Sequence, residues 1–138
     1  MRGYLGRVEY RRLGKSGLLT SALGLGTNNF GRWVDVTTAT AIIDRATDAG
    51  INFVDTADTY GDGRSEELIG RALGSRRPQV LIATKFGLRR GEAAFQGGAG
   101  RRWIIEAVEG SLRRLGTEYI DLYQVHQPDP DTPILVGS

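Results

Sequence analysis

Ile51-Asn52-Phe53-Val54-Asp55 is a short, largely apolar run that ends on a carboxylate, and Thr56-Ala57-Asp58-Thr59-Tyr60-Gly61 carries it into a polar turn. A helix follows at once. Leu68, Ile69, Ala72 and Leu73 form its apolar stripe, Ser65 is the expected N-cap, and Gly74 ends it. Glu66 and Glu67 lie in its first turn, where the helix dipole favours anions. The same strand-to-helix unit recurs on both sides. Upstream, Leu23-Gly24-Leu25-Gly26 reads as a strand broken by glycines, and Ala39, Ile42, Ile43, Ala46 and Ala49 mark a helix that Gly50 stops. Downstream, Val80 to Thr84 is a buried-type strand, followed by a glycine-rich loop over 87–100. Ile104, Ala107, Val108, Leu112 and Leu115 then share one helical face ahead of Gly116, and Ile120 to Val125 is a fourth strand. At the outer end, Val8 to Leu13 and Leu18 to Ala22 are two short strands around Gly14-Lys15-Ser16-Gly17, a hairpin turn.

Strand and helix thus alternate through four strands, the pattern of a parallel sheet with crossover helices. Both an open doubly wound sheet and part of a (β/α)8 barrel satisfy it. The glycine fingerprint of a dinucleotide-binding open sheet is missing after the first strand. Leu23-Gly24-Leu25-Gly26 lies within the strand, and Thr27-Asn28-Asn29 does not complete the motif. A hairpin ahead of the first strand suits the closed bottom of a barrel, so the pattern favours the barrel.

Composition narrows the function classes. A chain of 138 residues, 40% apolar and 25% charged, has the make-up of one soluble globular domain. It has no cysteine, so disulfide frameworks and thiolate metal sites are excluded, and a reducing, cytoplasmic setting is the expectation. Apolar runs such as Val80-Leu81-Ile82-Ala83 are too short to span a bilayer, and the opening residues lack a signal-peptide pattern. The formal charge is only +2, and the arginine pairs are spread along the chain with acids between them. A nucleic-acid face would gather them into one stripe, so no nucleic-acid partner and no membrane partner are expected.

In parallel β/α folds reactive groups gather at the carboxyl ends of strands. Here those ends read Gly26-Thr27-Asn28, Asp55, Lys85 and His126. Each has a plain reading: a carboxylate can cap a helix, a lysine can reach for water, His126 can tip an apolar strand, and Tyr60 can be packing. Lys85 is the informative one. Only Lys15 and Lys85 are lysine among eighteen basic residues, and an ammonium, unlike a guanidinium, carries a charge that its surroundings can tune. Together the four groups suit proton donation to a carbonyl oxygen. A free phenol titrates at about 10, too weak an acid for efficient donation at neutral pH, and an adjacent ammonium stabilises the phenolate. Asp55 would hold that ammonium, and His126, as a neutral imidazole, would donate a hydrogen bond to the substrate oxygen. None of these groups supplies a reductant, so reduction requires a hydride-carrying cofactor. Asp55 and His126 as metal ligands are disfavoured, because no further His, Cys or paired acid clusters with them.

At this point the sequence resembles the aldo-keto reductases. Asp55-Thr56-Ala57-Asp58-Thr59-Tyr60-Gly61 with Ser65-Glu66-Glu67-Leu68-Ile69-Gly70 is similar to that family's signature segment. The likeness extends to Tyr10-Arg11-Arg12-Leu13-Gly14, Leu23-Gly24-Leu25-Gly26-Thr27, Thr84-Lys85, Gly110-Ser111-Leu112-Arg113-Arg114-Leu115-Gly116 and Asp121-Leu122-Tyr123-Gln124-Val125-His126. It implies a parallel (β/α)8 TIM barrel, of which about the first four β/α units are present behind an N-terminal β-hairpin. A full barrel takes roughly 250 residues. The chain is accordingly expected to be one unit over 1–138, with the hairpin at 8–22, strand 1 to strand 4 at about 23–126, and an incomplete tail at 127–138. In that tail Leu135-Val136-Gly137-Ser138 departs from the family pattern.

The resemblance further implies a catalytic tetrad of Asp55, Tyr60, Lys85 and His126, with Tyr60 as general acid/base. Thr27, Asn28 and Asp55 fall where the family contacts the nicotinamide end of NADP(H), and Asn28 to Phe30 and Phe86 fall at the substrate mouth. The groups that the family draws from later strands to grip the rest of the cofactor are expected to be missing. The implied activity is NADPH-dependent reduction of an aldehyde or ketone to an alcohol. The implied partners are a small-molecule carbonyl substrate and, for a sheet with two open edges, a second copy or a complementing half-barrel. Two other readings stay open: a non-reducing half-barrel serving as a binding or assembly module, and a cofactor-free acid/base enzyme that dehydrates or cyclises a carbonyl compound.

Overall fold

A computed structural model describes residues 8–134; the tail residues Leu135-Val136-Gly137-Ser138 lie outside them. The chain opens with an antiparallel hairpin, β1 (Tyr10–Arg12) and β2 (Leu19–Ser21), with Tyr10 opposite Ser21. It is fastened beneath the main sheet by side chains rather than by a ladder. Asn52 Oδ1 accepts from the Ser21 amide at 2.7 Å, Asn52 Nδ2 donates to Leu19 O at 3.1 Å, and Tyr10 Oη donates to Gly50 O at 2.5 Å.

The main sheet is β3 (Leu25–Gly26), β4 (Phe53–Asp55), β5 (Leu81–Phe86) and β6 (Leu122–Val125), paired in that order and all parallel. Between successive strands run α1 (Val36–Asp48), α2 (Arg64–Leu73) and α3 (Arg101–Leu115). Asp35 caps α1 by accepting from the Thr38 amide at 2.8 Å. Gly116, at φ +61°, closes α3 by turning its amide back on Arg113 O and Leu112 O.

Several boundaries differ from the sequence expectation, each for a local reason. Ser65 is not the N-cap of α2: that position is Gly63, at φ +89° with no side-chain cap, and Ser65 lies fully buried within the first turn. Strand β4 starts at Phe53, because the Ile51 amide is still bound to Ala46 O at the end of α1 and Asn52 serves the hairpin. Strand β6 starts at Leu122, because the Asp121 carboxylate is held by the Ile82 amide and by Arg77. Strand β5 runs past the apolar run to Phe86, since the ladder with β6 continues through Lys85 and Phe86, so Lys85 sits inside the strand.

Alternation along the strands separates two faces. Val54, Ile82 and Phe86 point outward under the helices and are buried, whereas Asp55 and Lys85 point to the other face and stay half-open. The main core lies between sheet and helices, with Ile43 from α1, Ile69 and Leu73 from α2, and Leu115 from α3 around Val54 and Ile82. Burying each such side chain contributes about 1.5–3 kcal/mol. A second cluster joins Phe86 to Trp103 and Ala107 of α3, with Phe86 stacked on Tyr123 at 4.7 Å between ring centroids. Helices α2 and α3 approach closely at Gly70, where a Cβ would collide with Leu115 O. Among the described residues no helix is long and apolar enough to cross a membrane.

Candidate functional site

The half-open face of the sheet collects four polar side chains at its carboxyl end. Asp55 is the last residue of β4, Lys85 the penultimate residue of β5, and His126 follows β6. Tyr60 begins the 3-10 turn Tyr60–Gly63 that leads from β4 into α2. The Lys85 ammonium is the hub: its Nζ lies 2.8 and 2.7 Å from the two Asp55 oxygens, 2.8 Å from Thr56 O and 3.4 Å from Tyr60 Oη. An ammonium has three protons and no lone pair, which matches three acceptors: a carboxylate, a carbonyl and a phenol oxygen. Donation from Lys85 to Tyr60 Oη leaves the phenol's own proton free to be given elsewhere. Charge-assisted bonds of this kind are the strong ones, and the lysine side chain is only 16% exposed.

The turn that carries Tyr60 is fixed by glycine. Gly61 is at φ +58°, and a Cβ there would meet Phe30 O at 2.7 Å, so the turn rests directly on the loop after β3. His126 is held by its amide, which donates to Phe86 O at 2.7 Å. Its ring stands edge-on to Tyr60, with centroids 5.9 Å apart and planes at 83°. Burial, and after it the Lys85 charge, push the imidazole below its ordinary value, with Asp55 opposing in part. His126 is therefore neutral at neutral pH. Its Nδ1 is buried without a partner, which leaves Nε2 as the nitrogen open to a ligand.

The sequence-expected cofactor and mouth residues are placed less uniformly. Asn28 is exposed beside the rim, and a Cβ at neighbouring Gly26 would meet nothing within 4 Å, so there is free space against this end of β3. Open space, an exposed carboxamide and a phenol-ammonium pair fit the reacting end of a nicotinamide cofactor. Thr27 is 1% exposed, and its hydroxyl donates to Asp55 O at 2.8 Å, so it could support such a group only from beneath. Phe30 and Phe86 are 3% and 6% exposed and belong to the two cores. This corrects the expectation that they lie at a substrate mouth: outward alternation on β5 turns Phe86 under α3.

A second polar group, not singled out from the sequence, lies behind the first. Glu66 is fully buried, with Oε1 accepting from Thr84 Oγ1 and Oε2 from Arg114 Nε, both at 2.6 Å. Asp58 is 1% exposed, and neither of its carboxylate oxygens has a well-formed hydrogen bond, the Thr59 amide offering only a weak one. Burial, with Glu66 adding to it, pushes Asp58 up to about 6 against the pull of Arg90 and Arg114. An acid in a first helical turn reads equally well as a dipole complement, so only three-dimensional burial sets Glu66 apart.

Residues 22–137 match the aldo/keto reductase family. Aldo-keto reductase YhdN of Bacillus subtilis is 44% identical over 133 residues, which are 92% of this chain and 40% of that protein. A probable voltage-gated potassium channel subunit beta of Oryza sativa subsp. japonica is 40% identical over 131 residues, again 92% of this chain and 40% of the relative. Among solved structures, the holo form of an aldo-keto reductase from Bacillus halodurans superposes with a TM-score of 0.81 at 44% identity, covering 92% of this chain and 43% of the other. The chain thus spans about two fifths of the length of these proteins, and its hairpin and four-stranded parallel sheet correspond to that share of a TIM-barrel relative.

Proposed function

The chain belongs to the aldo/keto reductase family, and from that premise we propose that it carries the proton-donating part of an NADPH-dependent enzyme that reduces an aldehyde or ketone to an alcohol. The observation that carries this reading is the Lys85 ammonium seated between Asp55 and Tyr60. Tyr60 Oη gives its proton to the carbonyl oxygen as that oxygen gains negative charge, and the adjacent ammonium stabilises the phenolate left behind. Asp55 and Thr56 O keep the ammonium in place and charged. His126, neutral and open at Nε2, donates a hydrogen bond to the same carbonyl oxygen and orients it. A reduced nicotinamide, when bound, supplies the hydride that goes to the carbonyl carbon. Asn28 and Asp55 would border it, and Thr27 would support it from beneath.

Among the described residues β3 and β6 each have one unpaired edge. A closed barrel has no such edges. We take the active form to complete the sheet, with a second copy or with further β/α units as the partner. The potassium channel subunit among the relatives favours a second reading, a binding or assembly module without reduction. An NADPH fluorescence titration, run beside aldehyde-dependent NADPH oxidation, separates the two. Carbonyl-dependent oxidation supports the reductase. Cofactor-independent association with no oxidation in a completed barrel supports the module.

A further inference from the structure

We propose that Ser65 is a positioning residue of the reducing site: its buried hydroxyl locks the ends of β3 and β4 together and thereby fixes the seat of the Lys85 ammonium. The proposal rests on the reading of Lys85 and Tyr60 given above. Ser65 Oγ lies 2.9 Å from Thr56 Oγ1, 2.9 Å from Thr27 Oγ1 and 3.0 Å from Thr27 O, and all three residues are 0–1% exposed. Each hydroxyl has one proton to give. Thr27 Oγ1 spends its proton on Asp55 O at 2.8 Å. Ser65 then turns its one proton to Thr27, shared between Oγ1 and the carbonyl, which leaves Thr56 as the donor to Ser65. The result is a one-way chain, Thr56 to Ser65 to Thr27 to the Asp55 carbonyl.

Both ends of that chain are the residues that hold Lys85. Thr56 gives its carbonyl to the ammonium, and Asp55 gives its carboxylate. Ser65 is not spent on helix capping, since Gly63 is the N-cap and no side chain caps α2. Its neighbour Glu66 reaches the other side, binding Thr84 next to Lys85 on β5. The first turn of α2 therefore fastens the strand that carries Asp55 and the strand that carries Lys85 from one helix end. Without the Ser65 hydroxyl, Thr56 Oγ1 and Thr27 Oγ1 lose a shared partner in a buried place, and the Thr56 carbonyl is no longer fixed under Nζ.

The lysine count makes a direct test available that does not depend on turnover. In the full 138-residue chain only Lys15 and Lys85 carry a side-chain ammonium, and Lys15, exposed in the hairpin turn, is an internal reference. Nitrogen-detected NMR of the lysine Nζ groups would measure exchange of their protons with water, and exchange at the Ile82 amide, fully buried and bound to the Asp121 carboxylate, would report opening of the core at the far end of β5. In the wild type the Lys85 ammonium should be protected and that of Lys15 should not. Ser65→Ala should speed Lys85 exchange by about tenfold, the equivalent of one lost hydrogen bond, with a clearly smaller change at Ile82. If Ser65→Ala does not fold, Thr56→Val removes the first donor of the chain with little change of shape and should act in the same direction. An unprotected Lys85 in the wild type overturns the proposal. So does a folded variant in which Lys85 exchange is unchanged, or moves by the same factor as Ile82. A failure of the reductase reading would instead show as near-normal turnover in Tyr60→Phe, while the comparison of Lys85 exchange between wild type and Ser65→Ala, both of which keep the Tyr60 hydroxyl, would stand on its own.

Discussion

Lys85 Nζ stands 3.4 Å from Tyr60 Oη on one side and 2.7–2.8 Å from both Asp55 oxygens on the other, so one cation joins two strands to the turn that follows the first of them. Lys85→Met removes the charge beside the phenol and leaves Asp55 facing it unpaired. Carbonyl reduction in the completed barrel is expected to fall by about 10²–10⁴-fold. Turnover close to that of the wild type would remove Lys85 from the mechanism.

His126 is the chain's single histidine, so its ring titration can be followed without assignment. Burial and then the Lys85 charge hold it below the ordinary histidine value. The midpoint should therefore lie under about 6.5, and Lys85→Met should raise it, because a depressing charge is lost and the opposing Asp55 is freed. The folded state favours the neutral ring, so this group's contribution to stability is present above about 6.5 and is lost as pH falls through that value toward the folded midpoint. A midpoint in Lys85→Met equal to that of the wild type would mean that the two residues do not share a site.

Asp58 has the opposite sign. Its folded value of about 6 lies above the ordinary 3.8, so the folded state binds the proton more tightly. Stability is gained as pH falls through about 6, and the ionised group costs stability above it. Asp58→Asn should stabilise the chain at pH 7 by about 1–3 kcal/mol, and the gain should vanish near pH 4. Urea unfolding at the two pH values, followed by tryptophan fluorescence, measures this. Destabilisation at pH 7 would show that the buried carboxylate has a partner in solution.

Glu66 and Arg114 form the pair that joins α2 to α3, with the carboxylate fully buried. Arg114→Met leaves that charge with only the Thr84 hydroxyl, and the loss is expected to be on the order of 3 kcal/mol. Adding Glu66→Gln should restore part of it, since the uncompensated charge is then gone. A double variant no more stable than Arg114→Met alone would contradict this account of the pair.

The strand-and-helix order and the group at the strand ends were legible in the sequence because both depend on local pattern. Apolar periodicity located α1, α2 and α3, and the scarcity of lysine in an arginine-rich chain, with Lys15 in a turn, pointed to Lys85. What was not legible depends on which way a side chain faces after folding. Ser65 read as a cap because caps and buried hydroxyl bridges use the same residue type. Phe30 and Phe86 read as mouth residues because their place in the sequence is near the rim, but strand alternation and the close fit of Gly61 turn them into the cores. Thr27 likewise sits at a strand end while its hydroxyl serves Asp55 O from below.

The central claim is that Tyr60 gives the proton in carbonyl reduction. Its most direct test compares wild type with Tyr60→Phe in a completed barrel, measuring aldehyde-dependent NADPH oxidation at saturating cofactor and NADPH affinity by fluorescence. The account predicts a fall in turnover of about 10²–10⁴-fold or more, with cofactor affinity nearly intact. Turnover close to that of the wild type would contradict it.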